Sequence, residues 1–419
     1  MTLLVISPDF ISHYRPLAAV ARVAKLAGNR VVFATGKNMA PYVEAEGFEW
    51  TLLTLSDTSN SGIAKQNPSI KRFLDATKEG PIATLRCQAL DREADLLWQP
   101  IAVAKRIADI CEALDPDDIL VDQVSFGSTL GVYATGRPFT TLVPGHPSQL
   151  PVGTEHYGMP AIWPQSILPE PQELADLTAI TDRVAKAFTH NWNQALAVVA
   201  PHRQPVDNAF RVHGEQVLYN SSATYCAPER LPLLPKNHQF IGPLVREETL
   251  TEDTQRWLDK ADGVPKIYVA FGTFLSHRSD VLQTIAKALK LIDARVAMAI
   301  GANDRALFEP IPDSWLVASS LPQVGLLSGC DLVIHHGGNN SVQEALAMGV
   351  RQIIMPFSTD QFANAADLER VDQCQVLSPN HIQPQELANT IKSQLALPRP
   401  KKLASPKIKG ASLGCFALA

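Results

Sequence analysis

Short apolar runs recur between segments of mixed polarity, at residues 3–6, 30–34, 119–122, 139–143, 267–271, 296–300, 332–335 and 352–356. Runs this short, bounded by glycine or polar positions, suit strands buried on both faces, which belong to parallel sheets covered by helices. The segments between them carry the complementary pattern. Within residues 16–27, Leu17, Val20, Val23, Ala24 and Ala27 fall at helical spacing, and Gly28-Asn29 stops the helix just before the next run. Strand, loop, helix and strand make one βαβ unit, and a second begins with residues 266–273 and a helix over 280–292. The pattern predicts an α/β protein of two Rossmann-like parallel-sheet domains, at residues 1–241 and 263–395, joined by a linker at 242–262. A last segment, 396–419, holds Arg399, Lys401, Lys402, Lys407 and Lys409 and reads as a solvated tail or one packed back on the first domain.

Composition narrows the function classes. With 37 Lys and Arg against 42 Asp and Glu, the formal charge is -5, so the chain lacks the basic excess with which nucleic-acid binders neutralise phosphates. Every apolar run is cut by proline, glycine or charge well short of the roughly 20 residues that span a bilayer, leaving at most a peripheral membrane contact. Met1 leads straight into the first apolar run, with no basic segment or long apolar core of a signal peptide. The six cysteines form no Cys-x-x-Cys pair and read as reduced thiols of a cytoplasmic protein. No Gly-x-Gly-x-x-Gly follows residues 3–6 or 266–271, which argues against a dinucleotide-dependent dehydrogenase.

The stretch from Asp331 through Leu346 carries the densest chemistry: a buried strand, then His335-His336-Gly337-Gly338-Asn339-Asn340-Ser341, then a helix. A helix start presents unpaired N–H groups and a positive dipole end to an anion, and the two glycines let backbone approach a phosphate. The same residues also read as an ordinary strand-to-helix turn with Ser341 as N-cap. One strand later, Asp360 and Gln361 follow Pro356-Phe-Ser-Thr at a strand's C-terminal end, where ligands of α/β sheets gather. In the first domain His13 lies in the loop after the first strand, at the same kind of edge, and imidazole is the side chain best suited to remove a proton near neutrality. Asp122 ends another strand and can orient that imidazole; alone it is also a common turn residue. His146, His156 and His190 are weaker candidates for the base. The Asp-x-Asp within residues 115–118 immediately precedes a strand and reads as a turn, with no metal.

The run from Leu321-Pro-Gln323 to Asp360-Gln361 resembles the donor-binding signature of glycosyltransferase family 1, the UDP-glycosyltransferase superfamily. An early His13-Tyr-Arg-Pro16, Leu120-Val-Asp122 and Ile241-Gly242-Pro243 fall in the family's order as well, so the resemblance covers nearly the whole chain. It implies the GT-B fold and a bacterial-type enzyme that moves a sugar from a nucleoside diphosphate, UDP or TDP, to the hydroxyl of a small acceptor. It further implies inversion in a single displacement, with the nucleotide sugar as co-substrate and no separate cofactor or metal. By the same resemblance, His336, Gly338, Asn340 and Ser341 hold the diphosphate, with Thr273 near it. Glu344 holds the ribose, Gln323 and Asn339 join the donor site, and Asp360 with Gln361 holds the transferred sugar. His13 is the general base and Asp122 its partner. The sequence departs from the plant form of the signature at Ser320 and Asn339, where tryptophans stand, and at Arg351, where proline is usual. An accessory nucleotide-sugar-binding protein and an epimerase are the competing readings within this fold.

The acceptor pocket is expected between residues 55–113 and the proline-rich loop 145–171. These segments contain Phe73, Leu96, Leu97, Trp98, Tyr157, Met159 and Trp163 and suggest an apolar, partly aromatic acceptor. The pattern over Leu96, Leu97, Ile101, Ala104 and Ile107 fits equally the core face of a helix kinked at Pro100.

Overall fold

The structure is a computed structural model that describes residues 1–55, 68–95, 97–246, 248–260 and 263–404. The first of two sheets is built from β1 (Thr2–Ile6), β2 (Arg30–Thr35), β3 (Glu49–Leu52), β4 (Asp118–Asp122), β5 (Thr140–Val143), β6 (Gln216–Tyr219) and β7 (His238–Phe240). The second holds β8 (Lys266–Ala270), β9 (Arg295–Ala299), β10 (Leu316–Ala318), β11 (Leu332–His335), β12 (Arg351–Ile354) and β13 (Cys374–Val376). The strand orders are β3-β2-β1-β4-β5-β6-β7 and β10-β9-β8-β11-β12-β13. Every described pairing is parallel.

Burial on both faces explains the apolar runs. Leu3 and Val5 of β1 point into a core shared with the helix Ile11–Leu26, while Leu4 and Ile6 point the other way into a core with the helix Pro100–Leu114. In both sheets the order reverses between the first strand and the fourth, β1 beside β4 and β8 beside β11, and this switch point opens a crevice at the strands' C-terminal ends.

Two expectations need correction. The first helix starts at Ile11, five residues before Pro16, so Pro16 lies inside it and His13 stands in its first turn. Proline has no N–H to give, so the carbonyl of Ser12 loses its bond within the helix; Asn340 Nδ2, from the second domain, donates to it instead at 2.9 Å. Pro100 opens the helix Pro100–Leu114 as its first residue rather than kinking a longer one. The preceding helix is Pro81–Asp95, and Leu96 lies outside the described residues.

The two sheets face each other through their C-terminal edges. Asn339 Nδ2 donates to Pro144 O and Asn220 O, each at 2.8 Å. His146 Nε2 donates to Asp367 Oδ2 at 3.0 Å, and Arg278 Nη1 reaches Thr77 Oγ1 at 3.1 Å. Residues 145–171 form an ordered loop with short turns of helix at Pro147–Gln149 and Gln165–Ile167. The connection between the sheets holds a short helix, Glu252–Leu258, tied to the second sheet's side by Trp257 Nε1 on Ser314 O at 3.0 Å. Beyond the last helix the chain runs along the second domain: Arg351 Nε donates to Pro398 O at 3.1 Å, and Leu403 N to Leu346 O at 2.9 Å. Lys407 and Lys409 lie outside the described residues.

Candidate active site

The site begins with the two ends of the first switch point. β1 delivers His13 into the first turn of its helix, and β4 ends on Asp122, which has no exposed surface. His13 Nδ1 and Asp122 Oδ2 are 2.9 Å apart, and Asp122 Oδ1 accepts from Val124 N at 2.9 Å. A carboxylate only accepts, so Nδ1 carries the proton and Nε2 is left as the basic nitrogen. Burial pushes the His13 imidazole down, but the charge of Asp122, its hydrogen bond and the charge of Asp360 together push it further up, to a net value above the usual 6.5. The side chain is 24% exposed, so solvent and a ligand can reach it. The other histidines are differently placed. His146 is buried with both ring nitrogens engaged, His156 pairs with Asp182 at 2.8 Å, and His190 is exposed.

Opposite, the second switch point delivers the glycine turn. His335 Nδ1 accepts from Gly337 N at 3.1 Å and Nε2 donates to Gln352 Oε1 at 2.9 Å, which fixes one neutral tautomer and bends the chain away from β11. Gly337 has φ +88°, and a Cβ there would come within 2.8 Å of Ile354 Cγ2; one on Gly338 would sit 2.5 Å from His336 Nε2. The helix Asn339–Met348 takes Gly338 as its N-cap with no side-chain cap, so its first N–H groups are left for a ligand. Ser341 therefore lies inside the first turn and is not the N-cap.

Around that turn, Gln323 Nε2 donates to Ser341 Oγ at 3.2 Å and to Glu344 Oε2, tying three of the expected donor residues together. Burial pushes the Glu344 carboxyl up, partly offset by Gln323 and Arg15. His336 is pushed by burial down to about 4, so it is neutral at pH 7, and its Nδ1 is buried with no partner among the described residues. Thr273 belongs to the short helix Gly272–Leu275, but its side chain lies outside what the structure describes.

The remaining expected residues divide by what their polar atoms already hold. Asp360 opens the helix Asp360–Arg370; its Oδ2 accepts from His146 N at 3.4 Å, and burial pushes its carboxyl up. Thr359 before it has φ +38°, a left-handed conformation unusual for a β-branched residue and a sign of strain at this turn. Gln361 Oε1 accepts from Phe357 N at 2.9 Å and Ser358 N at 3.2 Å, while Nε2 donates to Ser358 Oγ at 3.0 Å, so its amide braces the loop that presents Asp360. Asn340 spans the cleft, with Nδ2 on Ser12 O and Oδ1 accepting from Asn220 Nδ2 at 3.2 Å. The amide of Asn339 is likewise spent on the first domain.

Sequence reasoning passed over several cleft residues. Arg15, Asn220 and Arg246 line a hollow with Asn340 and Glu344, and Arg92 and Gln149 line another with Tyr157 and Asp360. Only Arg15, within His13-Tyr-Arg-Pro16, stood in a recognisable motif. Of the expected acceptor residues, Tyr157 and Met159 border the second hollow. Leu97 and Trp98 pack against cores of the first domain, Phe73 against the core of the second, and Trp163 against Phe362 at 5.0 Å between ring centres. Among the described residues no cluster of three or more His, Cys, Asp or Glu could hold a metal ion, and no helix is long and apolar enough to cross a membrane.

Comparison with known proteins shows what the chain resembles. Residues 283–411 match the family described as erythromycin biosynthesis protein CIII-like, C-terminal domain. An uncharacterised UDP-glucosyltransferase of Bacillus subtilis (strain 168) is 25% identical over 157 residues, 37% of this chain and 38% of that relative, so the match spans well under half the relative's length. A demethyllactenocin mycarosyltransferase of Streptomyces fradiae is 24% identical over 394 residues, 93% of this chain and 78% of that one. Among solved structures, the calicheamicin glycosyltransferase CalG4 aligns with a TM-score of 0.68 at 18% identity, covering 94% of this chain and 89% of that one.

Proposed function

We propose that this chain, which has the GT-B fold and is similar to bacterial glycosyltransferases, transfers a sugar from a nucleoside diphosphate, UDP or TDP, to a hydroxyl of a small acceptor. The observation that carries the mechanism is the His13–Asp122 pair at 2.9 Å on one sheet's edge, facing the uncapped start of the helix Asn339–Met348 on the other. In this reading the acceptor hydroxyl gives its proton to His13 Nε2 as its oxygen attacks the anomeric carbon in line, and the sugar inverts. Asp122 stabilises the imidazolium that forms. The leaving diphosphate is met by the first N–H groups of the helix, from Gly338 and the backbone of Asn340, by Ser341 and neutral His336, and by Thr273. Glu344, held by Gln323, takes the ribose hydroxyls, Asp360 takes the sugar, and Gln361 keeps the Asp360 loop in place; Asn339 acts by holding the first domain against the donor site.

The acceptor side is residues 1–241 and the donor side 263–395, joined through 242–262. The five described cysteines are unbridged, which agrees with a cytoplasmic setting. His13→Ala tests the mechanism: turnover is expected to fall roughly 10²–10⁴-fold, with UDP or TDP affinity by calorimetry unchanged. Near-normal turnover removes His13 from the chemistry. A chelator is expected to leave turnover intact, because the leaving charge is met by protein donors.

A further inference from the structure

A hollow opens between the helix Pro81–Asp95, the loop 145–171 and the turn before Asp360. Its floor is Arg92. The guanidinium carbon lies 5.2 Å from the centre of the Tyr157 ring, and Nη1 is buried with no partner among the described residues. Gly158 makes this placement possible: it has φ +84°, and a Cβ there would come within 1.8 Å of Arg92 Nη1. Across the hollow, Gln149 Oε1 is also buried without a partner, held over Gly145, where a Cβ would come within 2.2 Å of it. The acid that lines the space is Asp360, whose carboxylate is held by the backbone of His146, and Arg92 forms no salt bridge among the described residues.

The Asp360 charge acts on the Arg92 guanidinium without a hydrogen bond between them, and a buried donor left without a partner is costly unless a ligand supplies the acceptor. The wall is aromatic on one side, carries one cationic donor at the base, and offers one amide acceptor. Guanidinium favours a planar anion that can take two parallel N–H bonds, which describes a carboxylate.

We propose that Arg92 and Gln149 form a carboxylate subsite, in which Arg92 Nη1 pairs with a ligand carboxylate and Gln149 Oε1 accepts from a neighbouring ligand hydroxyl. The inference rests on the glycosyl-transfer reading of the cleft and narrows it: one substrate is acidic. The carboxylate belongs either to the acceptor or to the sixth carbon of a uronic acid on the donor, since Asp360, the expected sugar contact, borders the same space. A carboxylate on the acceptor departs from the apolar, partly aromatic acceptor expected from the sequence.

The test compares the full-length protein with Arg92→Gln and Arg92→Lys, using two ligand pairs that differ only in the carboxylate. In the acceptor arm, 4-hydroxybenzoate is set against phenol with UDP-glucose as donor. In the donor arm, UDP-glucuronate is set against UDP-glucose with phenol as acceptor. Binding by calorimetry and kcat/KM are both read, and UDP affinity serves as the control for an intact donor site. In one arm the wild type is expected to favour the carboxylate partner roughly 10- to 100-fold, from one charge-assisted hydrogen-bonded pair. Arg92→Gln is expected to abolish that preference with UDP affinity unchanged, and Arg92→Lys to restore part of it. The arm that responds names the source. Carboxylate binding that depends on Arg92 without any sugar transfer upholds the subsite and overturns the transferase reading. No carboxylate preference in either arm, or a preference that Arg92→Gln leaves intact, overturns the subsite and leaves the transferase reading standing.

Discussion

His13 and Asp122 are separated by 109 positions in sequence and by 2.9 Å in space, and their coupling sets a pH dependence with a definite sign. The base must be unprotonated to work, and its value is raised above the usual 6.5. The acid limb of the kcat profile is therefore expected above that of a free imidazole. Asp122→Asn removes the charge that holds the proton on the ring, so the limb should shift to lower pH while the plateau falls roughly 10²–10⁴-fold through lost imidazolium stabilisation and tautomer control. A limb that stays in place would show that another group titrates. The same coupling affects stability: because the folded value is raised, its contribution is complete below about pH 6.5 and is lost as pH rises through the folded value. Ser341→Ala and His336→Ala are each expected to weaken nucleotide binding by roughly 1.5–3 kcal/mol; the melting temperature should change little for Ser341→Ala and fall for His336→Ala, whose ring packs against Gly272 and Gly338.

At the scale of elements, the turn between β11 and the helix Asn339–Met348 shows how backbone geometry makes a site. Gly337 needs its left-handed φ of +88° and the space beside Ile354, so Gly337→Ala is expected to destabilise the fold by about 1–3 kcal/mol. Gly338 has no such φ, yet a side chain there would press on His336. Gly338→Ala should therefore leave the melting temperature within a few degrees and cut UDP or TDP affinity severalfold, a contrast that calorimetry and thermal unfolding resolve. Pro16 works the opposite way, by leaving a gap. It frees Ser12 O inside its helix, and Asn340 from the other sheet occupies that carbonyl.

Over the whole molecule, three histidines whose values are depressed tie stability to acidity. Burial pushes His335 down to about 3, and burial first, then nearby positive groups, push His238 down to about 4; His336 lies at about 4 as well. A depressed folded value means that stability is intact above about pH 6.5 and falls as the pH drops toward 4 and 3, because the unfolded chain takes up protons first. Thermal unfolding is expected to shift downward steadily over that window, by about 1.4 kcal/mol for each unit of depression realised. A flat melting temperature between pH 6 and 4 would contradict the neutral state of these rings. The two domains are joined by polar contacts of Asn339, Asn340, His146 and Arg278.

Sequence by itself determined the two parallel sheets, since strands buried on both faces must read as apolar runs, and eight of them did. It also determined the helix-start turn at Gly337-Gly338, because Gly337 takes a left-handed φ and Gly338 has His336 packed where a side chain would stand. It missed β3, β6, β7, β10 and β13, which are three or four residues long; β10 is an apolar triplet too short to show a period, and the others carry polar positions such as Glu49, Gln216 and His238 that periodicity cannot distinguish from loop. It also set the first helix to begin at Pro16, because proline at N1 is the commoner pattern. Only the tertiary structure decided that Asp122 meets His13, that Asn339 and Asn340 spend their amides on the first domain, and that Arg92 and Gln149 share a hollow with Asp360. These pairings come from elements far apart in the chain, and period and composition describe each element alone. Which side chains converge depends on strand order and on how the two edges meet, and both are set by packing between elements.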